Sequence, residues 1–272
     1  MATLHEYLQT QASDGLVSWP VQEAAAKEYS VTLAEVEEAI LSSELLPARY
    51  QRNRQMISTS QQLQLFRSKV AVVGAGGLGG YILEQLARLG IGQLVSIDAD
   101  VFEENNLNRQ LLSSPAKLGR VKVEVAAERI AEVNPAVTLR PIQAMCGKSN
   151  GVELLTGVDC VVDAVDNVTA RLELAEICSE LQVPLVHGAI AGWYGHVATV
   201  MPGDTTLQTI YRHWKGGKGV EQQLGNPSFT PAVAASFEVA EVCKLLLDQG
   251  RLLRNRKLAF NLLHMEVDEI PL

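Results

Sequence analysis

The sequence predicts an α/β protein: a doubly wound, Rossmann-like parallel sheet with an antiparallel C-terminal extension and an N-terminal helical appendage. Three observations lead to this fold class. Short β-branched apolar runs alternate with helical segments from residue 68 onward, and a glycine-rich turn joins the first run to its helix. Before them, residues 1–47 carry apolar side chains at helical spacing.

The N-terminal appendage is predicted from two helical patterns. A short apolar stripe near the N-terminus indicates one helix, and the capping box formed by Thr32 and Glu35 starts a second helix that ends at Pro47. We expect residues 1–47 to be a packing or partner-docking element, with residues 48–272 forming the main domain.

The apolar runs in the middle of the chain predict four parallel strands with crossover helices. Five runs are the candidates for these strands, namely SKVAVVG, QLVSIDAD, VTLRPIQAM, VDCVVDAV and PLVHGAI, and we place helices at about 118–133 and 168–181. After them, GHVATVMPG predicts an antiparallel strand, and residues 203–230 predict a long loop rich in glycine and polar residues. A helix over 231–247 and a closing strand in KLAFNLLHMEVDEI complete the domain.

The composition limits the possible partners and compartments. With 23 Lys and Arg against 31 Asp and Glu, the formal charge is -8, so the chain as a whole repels nucleic acid and anionic lipid. A zinc ribbon or a dithiol redox motif requires a CxxC pair, and the four cysteines form no such pair. Because there is no apolar signal segment and no long apolar run, we expect a cytoplasmic protein.

The glycine-rich turn predicts a nucleotide site. Its glycines are Gly74, Gly76, Gly77 and Gly79, which permit a tight turn and let backbone amides approach a phosphate at the helix N-terminus. Asp98 ends the next predicted strand, where a carboxylate accepts hydrogen bonds from ribose hydroxyls. Together these features indicate a nucleotide, without separating NAD from ATP.

Two cations beyond the second strand favour a polyphosphate. Arg109 follows that strand and Lys122 lies in the next helix, and connections past the carboxyl ends of parallel strands face the binding crevice. A redox dinucleotide needs fewer cations than a triphosphate. Taken singly, each of the two is compatible with an ordinary surface charge.

A carboxylate at the end of the most apolar strand predicts a magnesium site. The segment from Asp163 to Asn167 follows that strand, and Asp166 would hold Mg²⁺ against the phosphates because this cation prefers oxygen ligands. The alternative is that Asp166 or Asn167 only caps the helix that carries Arg171.

In this order, the motifs resemble the ThiF/MoeB/HesA adenylyltransferases, relatives of the ubiquitin-activating enzymes. The resemblance runs from about Arg49 to Lys244 and rests on ARYQRNRQMIS, GAGGLGG, SIDAD, NNLNRQ, GRVKVE and DAVDNVTAR. It implies that residues 48–272 are an ATP-binding adenylation domain of a homodimer. The implied reaction activates, as an acyl-adenylate, the C-terminal carboxylate of a small ubiquitin-like sulfur carrier with a Gly-Gly tail.

The resemblance also implies roles for single residues. Asp98 matches the ribose-binding acid, and Asp166 matches the acid that positions Mg²⁺ for adenylation; Asn167 beside it is included in the cofactor site. The residues that match phosphate contacts are Asn106, Arg109 and Lys122. An arginine that reaches into the neighbouring subunit's ATP site matches either Arg52 or Arg54, and a basic surface turn is the alternative.

The cysteines depart from the family pattern. Members typically carry two CxxC pairs for zinc, whereas this chain has Thr206 to Thr209 near the first position and no second pair, so we predict no structural zinc. Because residues 203–230 contain no cysteine, adenylation alone is predicted, without a thioester or persulfide on that loop. The thiols expected in the core are Cys160, Cys178 and Cys243, and Cys146 is the one expected to be exposed.

The histidines give weak signals. His187 follows a buried strand and is interpreted as a structural histidine, with a place in the crevice as the alternative. His213 and Trp214 either contact a peptide tail or fold the predicted loop.

Two other functions remain as alternatives. An NAD-dependent oxidoreductase explains the glycines and Asp98 but gives no joint role to Arg109, Lys122 and Asp166. A non-catalytic partner-binding scaffold of the same fold accounts for the missing cysteines, although a scaffold has no need of those three side chains. The sequence names neither the acyl substrate nor the pathway.

Overall fold

The computed structural model describes residues 2–214, 216 and 224–272. In chain order its strands are β1 (Leu16–Val17), β2 (Leu46–Pro47), β3 (Lys69–Val73), β4 (Gln93–Ile97), β5 (Thr138–Ile142), β6 (Cys160–Asp163), β7 (Leu185–Ala191), β8 (Tyr194–Val200), β9 (Arg256–Asn261) and β10 (Glu266–Pro271). Its α-helices are α1 (Leu4–Gln11), α2 (Trp19–Tyr29), α3 (Leu33–Ser42), α4 (Thr59–Arg67), α5 (Gly79–Leu89), α6 (Lys122–Val133), α7 (Gly151–Leu155), α8 (Val168–Leu181), α9 (Thr206–Ile210) and α10 (Phe229–Leu247).

Eight of these strands form one sheet in the order β10-β9-β8-β7-β6-β3-β4-β5. The strands from β7 to β5 in that order run parallel, and β8, β9 and β10 extend the sheet with antiparallel pairs. The predicted fold class and its antiparallel extension are therefore confirmed. The predicted number of four parallel strands is wrong, because all five candidate runs form parallel strands, with VTLRPIQAM at the open edge of the sheet.

The C-terminal end contains two strands where one was predicted. β9 and β10 form an antiparallel hairpin, and the residues between them include neither glycine nor proline. The turn uses Met265 in the left-handed region, with φ at 57°. Because a non-glycine residue adopts this conformation, the sequence carried no turn signal.

Three helix boundaries and one loop also differ from the predictions, and the helix expected to end at Pro47 ends at Ser42. The helix expected from about residue 118 begins at Lys122, because residues 115–117 form a separate short 3₁₀ helix. The predicted loop over 203–230 contains α9, and α10 begins within its last two residues. Residues 215 and 217–223 of that segment lie outside the described part of the chain.

The sheet is covered on both faces, as a doubly wound fold requires. On β3, Val70 and Val72 pack toward one face with α5, α6 and α10, while Ala71 and Val73 pack toward the other with α8. This sandwich leaves the carboxyl ends of the parallel strands to open together at one edge. Among the described residues no helix is long and apolar enough to cross a membrane.

The first 47 residues fold into α1, α2 and α3 with the small parallel pair of β1 and β2. The predicted capping box at Thr32 is present, with Thr32 and Glu35 exchanging hydrogen bonds. These elements have an apolar core of their own that includes Leu8, Val36 and Ile40. α2 was not predicted, because its sequence lacks a strong apolar stripe.

Arg49 joins this appendage to the sheet domain. Its guanidinium lies over the ring of Trp19, with 4.9 Å from Cζ to the ring centroid, and its Nη2 donates to Gln22 at 2.7 Å. Its Nη1 donates to Asn134, which follows α6, and lies 3.3 Å from the buried carboxylate of Glu37. The start of the basic segment 49–54 is therefore fixed from both sides.

Candidate active site

The glycine turn between β3 and α5 is packed directly against the end of β6. Gly74 has φ at 102°, and a Cβ placed on it would clash with the carbonyl oxygen of Ala164. A Cβ on Gly79 would clash with the carbonyl oxygen of Gly74. Both positions therefore require glycine, and the turn lies in backbone contact with the segment that leads to Asp166.

The turn forms one wall of a cavity of about 910 Å³ at the carboxyl edge of the sheet. Gly76 and Gly77 line it, and a Cβ on either would approach side-chain atoms no closer than 3.5 Å. The backbone at these two positions is thus accessible to a ligand at the N-terminal end of α5, where unpaired amides favour an anion.

Asp98 is tied to the glycine turn. Its Oδ2 accepts a hydrogen bond from the backbone N–H of Ala75 at 2.7 Å, and its Oδ1 accepts one from Asp100 at 2.8 Å. The carboxylate lines the cavity with its remaining lone pairs available. It therefore lies where a ribose-binding acid is expected, held in one orientation by the backbone.

The two predicted cations line the same cavity. Lys122 is buried at the start of α6, with its Nζ 3.1 Å from Oδ2 of Asp100. Arg109 lies beside Gly77, and its Nη1 donates to the carbonyl of Asn105 at 2.8 Å and to the side chain of Asn108 at 2.9 Å. The structure thus brings both positive charges to the cavity that the glycine turn lines.

Asn106 is placed differently from the expectation. Its side chain is buried, accepts a hydrogen bond from the backbone N–H of Glu103 at 3.0 Å and donates to Asn105 at 2.5 Å. It is not among the described residues that line the cavity. In this structure Asn106 therefore holds the turn that presents Arg109, and does not itself face the phosphate position.

Arg52 and Arg54 lie away from the cavity of their own chain. Both are exposed in the turns between residues 51 and 57, and neither has an ion pair or side-chain hydrogen bond within the described ranges. The structure does not choose between them.

Asp166 and Asn167 have separate positions at the start of α8. Asn167 caps the helix, because its Oδ1 accepts a hydrogen bond from the N–H of Ala170 at 2.8 Å. Asp166 is exposed and lines the cavity. The capping alternative therefore describes Asn167, whereas Asp166 lines the cavity and caps no helix.

The donor set suits magnesium bound together with phosphates. The described residues contain no group of three or more His, Cys, Asp or Glu side chains arranged for a metal ion. Mg²⁺ is commonly held by one or two carboxylates plus substrate phosphate oxygens and waters, and the single carboxylate of Asp166 fits that pattern.

A buried polar network lies behind Asp166. The carboxylate of Asp163 is 2.6 Å from Nδ1 of His187 and 3.4 Å from Nη1 of Arg171, and these three side chains are buried. The Arg171 guanidinium also donates to the carbonyls of Val165, at 2.6 Å, and Gly188, at 2.5 Å. Arg171 and Asp163 thus hold the peptide before Asp166 from two sides, since Asp163 also accepts from the N–H of Val165 at 3.1 Å.

The charge states in this network follow from burial and pairing. Burial alone would raise the pKa of Asp163, but Arg171 and the hydrogen bond from His187 outweigh it and hold that pKa below its usual value. Burial lowers the pKa of His187 despite the neighbouring carboxylate. The pair is therefore a carboxylate and a neutral imidazole, not a salt bridge.

Sequence reasoning missed three residues of this region. His196 of β8 and Tyr211 after α9 line the cavity, and both lie 3.2 Å from Nε2 of His187. Glu238 of α10 is fully buried, and burial raises its pKa well above the ordinary value. The available signal was a histidine or a glutamate inside an apolar pattern. A single sequence does not show that these side chains meet, because they lie on separate elements of the fold.

The cysteines offer no activated thiol. Burial raises the pKa of Cys146 and of Cys243 to about 11, and that of Cys178 to about 12. Cys160 is fully buried in β6, as predicted. Cys146 is half-buried in the cavity wall, and not freely exposed as expected, because its side chain packs against the core beside α8.

Comparisons with known proteins identify relatives of this chain. A model of the ThiF family matches residues 50–272. The SAMP-activating enzyme E1 of Haloferax volcanii is 35% identical over 227 residues, which cover 82% of this chain and 84% of that protein. The molybdopterin-synthase adenylyltransferase of Haemophilus influenzae is 30% identical over 226 residues, covering 81% of this chain and 93% of that protein.

A solved structure shares the fold. The crystal structure of Escherichia coli MccB with ATP superposes with a TM-score of 0.67 at 20% identity, covering 92% of this chain and 82% of that chain. This similarity supports the sheet topology described above.

Proposed function

Since the chain belongs to the ThiF family and is an adenylyltransferase, we propose that it uses ATP to activate the C-terminal carboxylate of a small ubiquitin-like sulfur carrier as an acyl-adenylate. The observation that carries the proposal is the convergence of Arg109, Lys122 and Asp166 on one cavity with the glycine turn. A nicotinamide dinucleotide would leave this combination of cations and acid without a role.

The proposed reaction joins two anions. The substrate carboxylate attacks the α-phosphate of ATP, and pyrophosphate leaves. At about 4 Å and an effective dielectric constant of about 20, each pair of like charges costs roughly 4 kcal/mol. Fixed cations must offset this repulsion in the transition state, which is the role we give to Arg109 and Lys122.

Asp166 would hold Mg²⁺ beside the triphosphate, since its carboxylate lines the cavity and caps no helix. When bound, the metal ion supplies positive charge that neutralises phosphate oxygens. Asp98 would hold the ribose, and Gly76 and Gly77 would let backbone amides approach the phosphates. No protein side chain has to act as nucleophile, because the substrate carboxylate is the attacking group.

The site is proposed to be completed by a second copy of the chain. Arg52 and Arg54 are exposed, and neither lines the cavity of its own chain. Their segment begins at Arg49, which is fixed between the appendage and α6. A homodimer would let one of the two arginines enter the neighbouring cavity and add a third cation.

The sulfur-carrier substrate is supported by the relatives. One is named for activating SAMP, and another is an adenylyltransferase of molybdopterin synthase. An extended tail could enter between β8 and the residues after α9, since Tyr194 and Trp214 line this side of the cavity.

The test is ATP–pyrophosphate exchange with small proteins that end in Gly-Gly. Exchange is expected with the intact carrier and is expected to disappear when its last two residues are removed. Exchange that is independent of the tail would contradict the substrate assignment, and NADH binding without Mg²⁺-dependent ATP binding would contradict the proposed function.

A further inference from the structure

A chain of hydrogen bonds connects the buried Asp163 to the cavity. The ionised carboxylate of Asp163 accepts only, so Nδ1 of His187, at 2.6 Å, carries the proton of that bond. Nε2 of the neutral imidazole is then an acceptor, and the Tyr211 hydroxyl lies 3.2 Å from it, as does Nε2 of His196. Asp163 and His187 are buried behind the cavity wall, whereas Tyr211 lines the cavity.

This arrangement is a carboxylate and an imidazole aimed at a hydroxyl, which makes the hydroxyl a group that can pass a proton inward. Adenylation has no use for it, since the attacking carboxylate is already deprotonated. A step that consumes the acyl-adenylate does, because a neutral nucleophile must lose a proton as it attacks.

We propose that Tyr211, backed by His187 and Asp163, accepts the proton of an external thiol that attacks the acyl-adenylate. The inference rests on the proposed function. In this step the sulfur–carbon bond forms and the bond between the acyl carbon and the phosphate oxygen breaks, so AMP leaves as an anion. The thiol proton passes to Tyr211 as the hydroxyl proton moves to Nε2 of His187, and no electrons are gained or lost overall.

The nucleophile must come from outside the chain. Residues 203–230 contain no cysteine, and the four cysteines of the chain are buried or half-buried with pKa values raised by burial. A thiol is the acceptor that matches this base, because its ordinary pKa of about 8.5 lies within about two units of neutrality.

The position of the relay relative to the adenylation site is fixed by β6. Asp163 ends this strand three residues before Asp166, so their Cα atoms are separated by at most about 11 Å. Arg171 bonds to both Asp163 and the peptide before Asp166. Asp163 of the relay and the carboxylate proposed to hold the metal therefore lie in one segment that Arg171 holds in place.

Charged and titratable groups surround His187 on every side. They are Asp163 of β6, Arg171 of α8, His196 of β8, Tyr211 after α9, Lys257 of β9 and Glu238 of α10. Asp163 favours the imidazolium, whereas Arg171 and Lys257 oppose it. Burial also opposes the imidazolium and is the largest cause of the lowered pKa of His187, so the neutral imidazole is the stable form to which the relay returns.

The proposal is tested with Tyr211→Phe, which removes only the hydroxyl. Two rates are compared in the full-length protein with a Gly-Gly carrier: pyrophosphate exchange, and acyl transfer to N-acetylcysteine measured as the carrier thioester. The ratio of transfer to exchange is expected to fall about 100-fold at pH 7. Tyr29→Phe removes a hydroxyl from the N-terminal appendage, outside the cavity, and is expected to keep the wild-type ratio.

A thiol that is already ionised distinguishes a proton-transfer role of Tyr211 from a structural one, because it has no proton to give up. With a nitro-substituted aromatic thiol that is already a thiolate at pH 7, the variant and the wild type are expected to have equal ratios. An unchanged ratio with N-acetylcysteine would overturn the proposal, as would a deficit that persists with the ionised thiol. A deficit in His196→Gln but not in Tyr211→Phe would overturn the assignment to Tyr211. Absence of exchange in the wild type would instead refute the proposed function.

Discussion

The backbone N–H of Ala75 donates a 2.7 Å hydrogen bond to Oδ2 of Asp98, which joins the glycine turn to the end of the neighbouring strand. The turn that is expected to face the phosphates and the acid that is expected to face the ribose are thus positioned together. We expect Asp98→Ala to lower stability by about 1–3 kcal/mol, because it leaves a buried donor unsatisfied, and to raise the KM for ATP. Thermal unfolding and exchange kinetics measure the two effects, and an unaltered KM would argue against a ribose contact.

Asp166 and Asn167 are adjacent but are expected to respond differently to substitution. Asp166→Ala should abolish exchange with little change in stability, since its side chain is exposed and caps no helix. Asn167→Ala removes the cap of α8 and should cost about 1 kcal/mol of stability while reducing exchange much less. If both variants lost exchange to the same extent, the separation of the two roles would be wrong.

If an arginine of one subunit completes the cavity of the other, two inactive variants are expected to complement each other. Asp166→Ala and an Arg52→Ala/Arg54→Ala double variant should each be inactive, whereas their mixture should regain part of the activity. Heterodimers then contain one cavity with a functional acid and an intact incoming arginine. Statistical mixing gives about half heterodimers, each with one complete site, so roughly a quarter of the wild-type rate is the expected ceiling. No recovery after subunit exchange, confirmed with differently tagged copies, would indicate a site completed within one chain.

Gly74 should tolerate no side chain. It combines φ at 102° with a Cβ position that overlaps the carbonyl oxygen of Ala164. Gly74→Ala is therefore expected to destabilise the protein by more than the roughly 1 kcal/mol that a left-handed conformation alone costs. Gly203→Ala is the matched control, because Gly203 has φ at 85° with no atom within 4 Å of the added Cβ. Equal changes in unfolding free energy would show that the contact with Ala164 is unimportant.

Glu238 should make stability depend on pH. Burial raises its pKa well above the ordinary 4.5, with Asp163 adding to the rise and Arg171 opposing it. Above pH 4.5 the folded state therefore binds more protons at this site than the unfolded state, so its contribution to stability falls as pH rises. His187 and His196 have lowered pKa values and act in the opposite direction. The stability of wild type relative to Glu238→Gln should accordingly decline from pH 4.5 upward, and a constant difference in denaturant titrations would refute this.

Local signals in the sequence predicted most of the fold and part of the site. The glycine turn, Asp98, Lys122 and Asp166 follow strands or begin helices, so their order along the chain places them at one edge of the sheet. Asn106 shows the limit of this reasoning, because an amide in a tight turn has backbone partners nearby that spacing does not reveal. The relay was missed for another reason: His187, His196 and Tyr211 meet through antiparallel pairing and a short helix, which a single sequence does not specify.

The contacts of Arg49 link the N-terminal helices to the segment that carries Arg52 and Arg54, which is proposed to enter the cavity of a second subunit. Its guanidinium is held by Gln22 and Glu37 on one side and by Asn134 on the other, three residues before Arg52. Trimming the chain to its sheet domain would remove two of these three partners and expose the ring of Tyr50, which is otherwise enclosed. In the proposed homodimer, the segment that carries Arg52 and Arg54 would then lose its attachment to the appendage, so the N-terminal helices would orient the arginine that is offered to the neighbouring cavity.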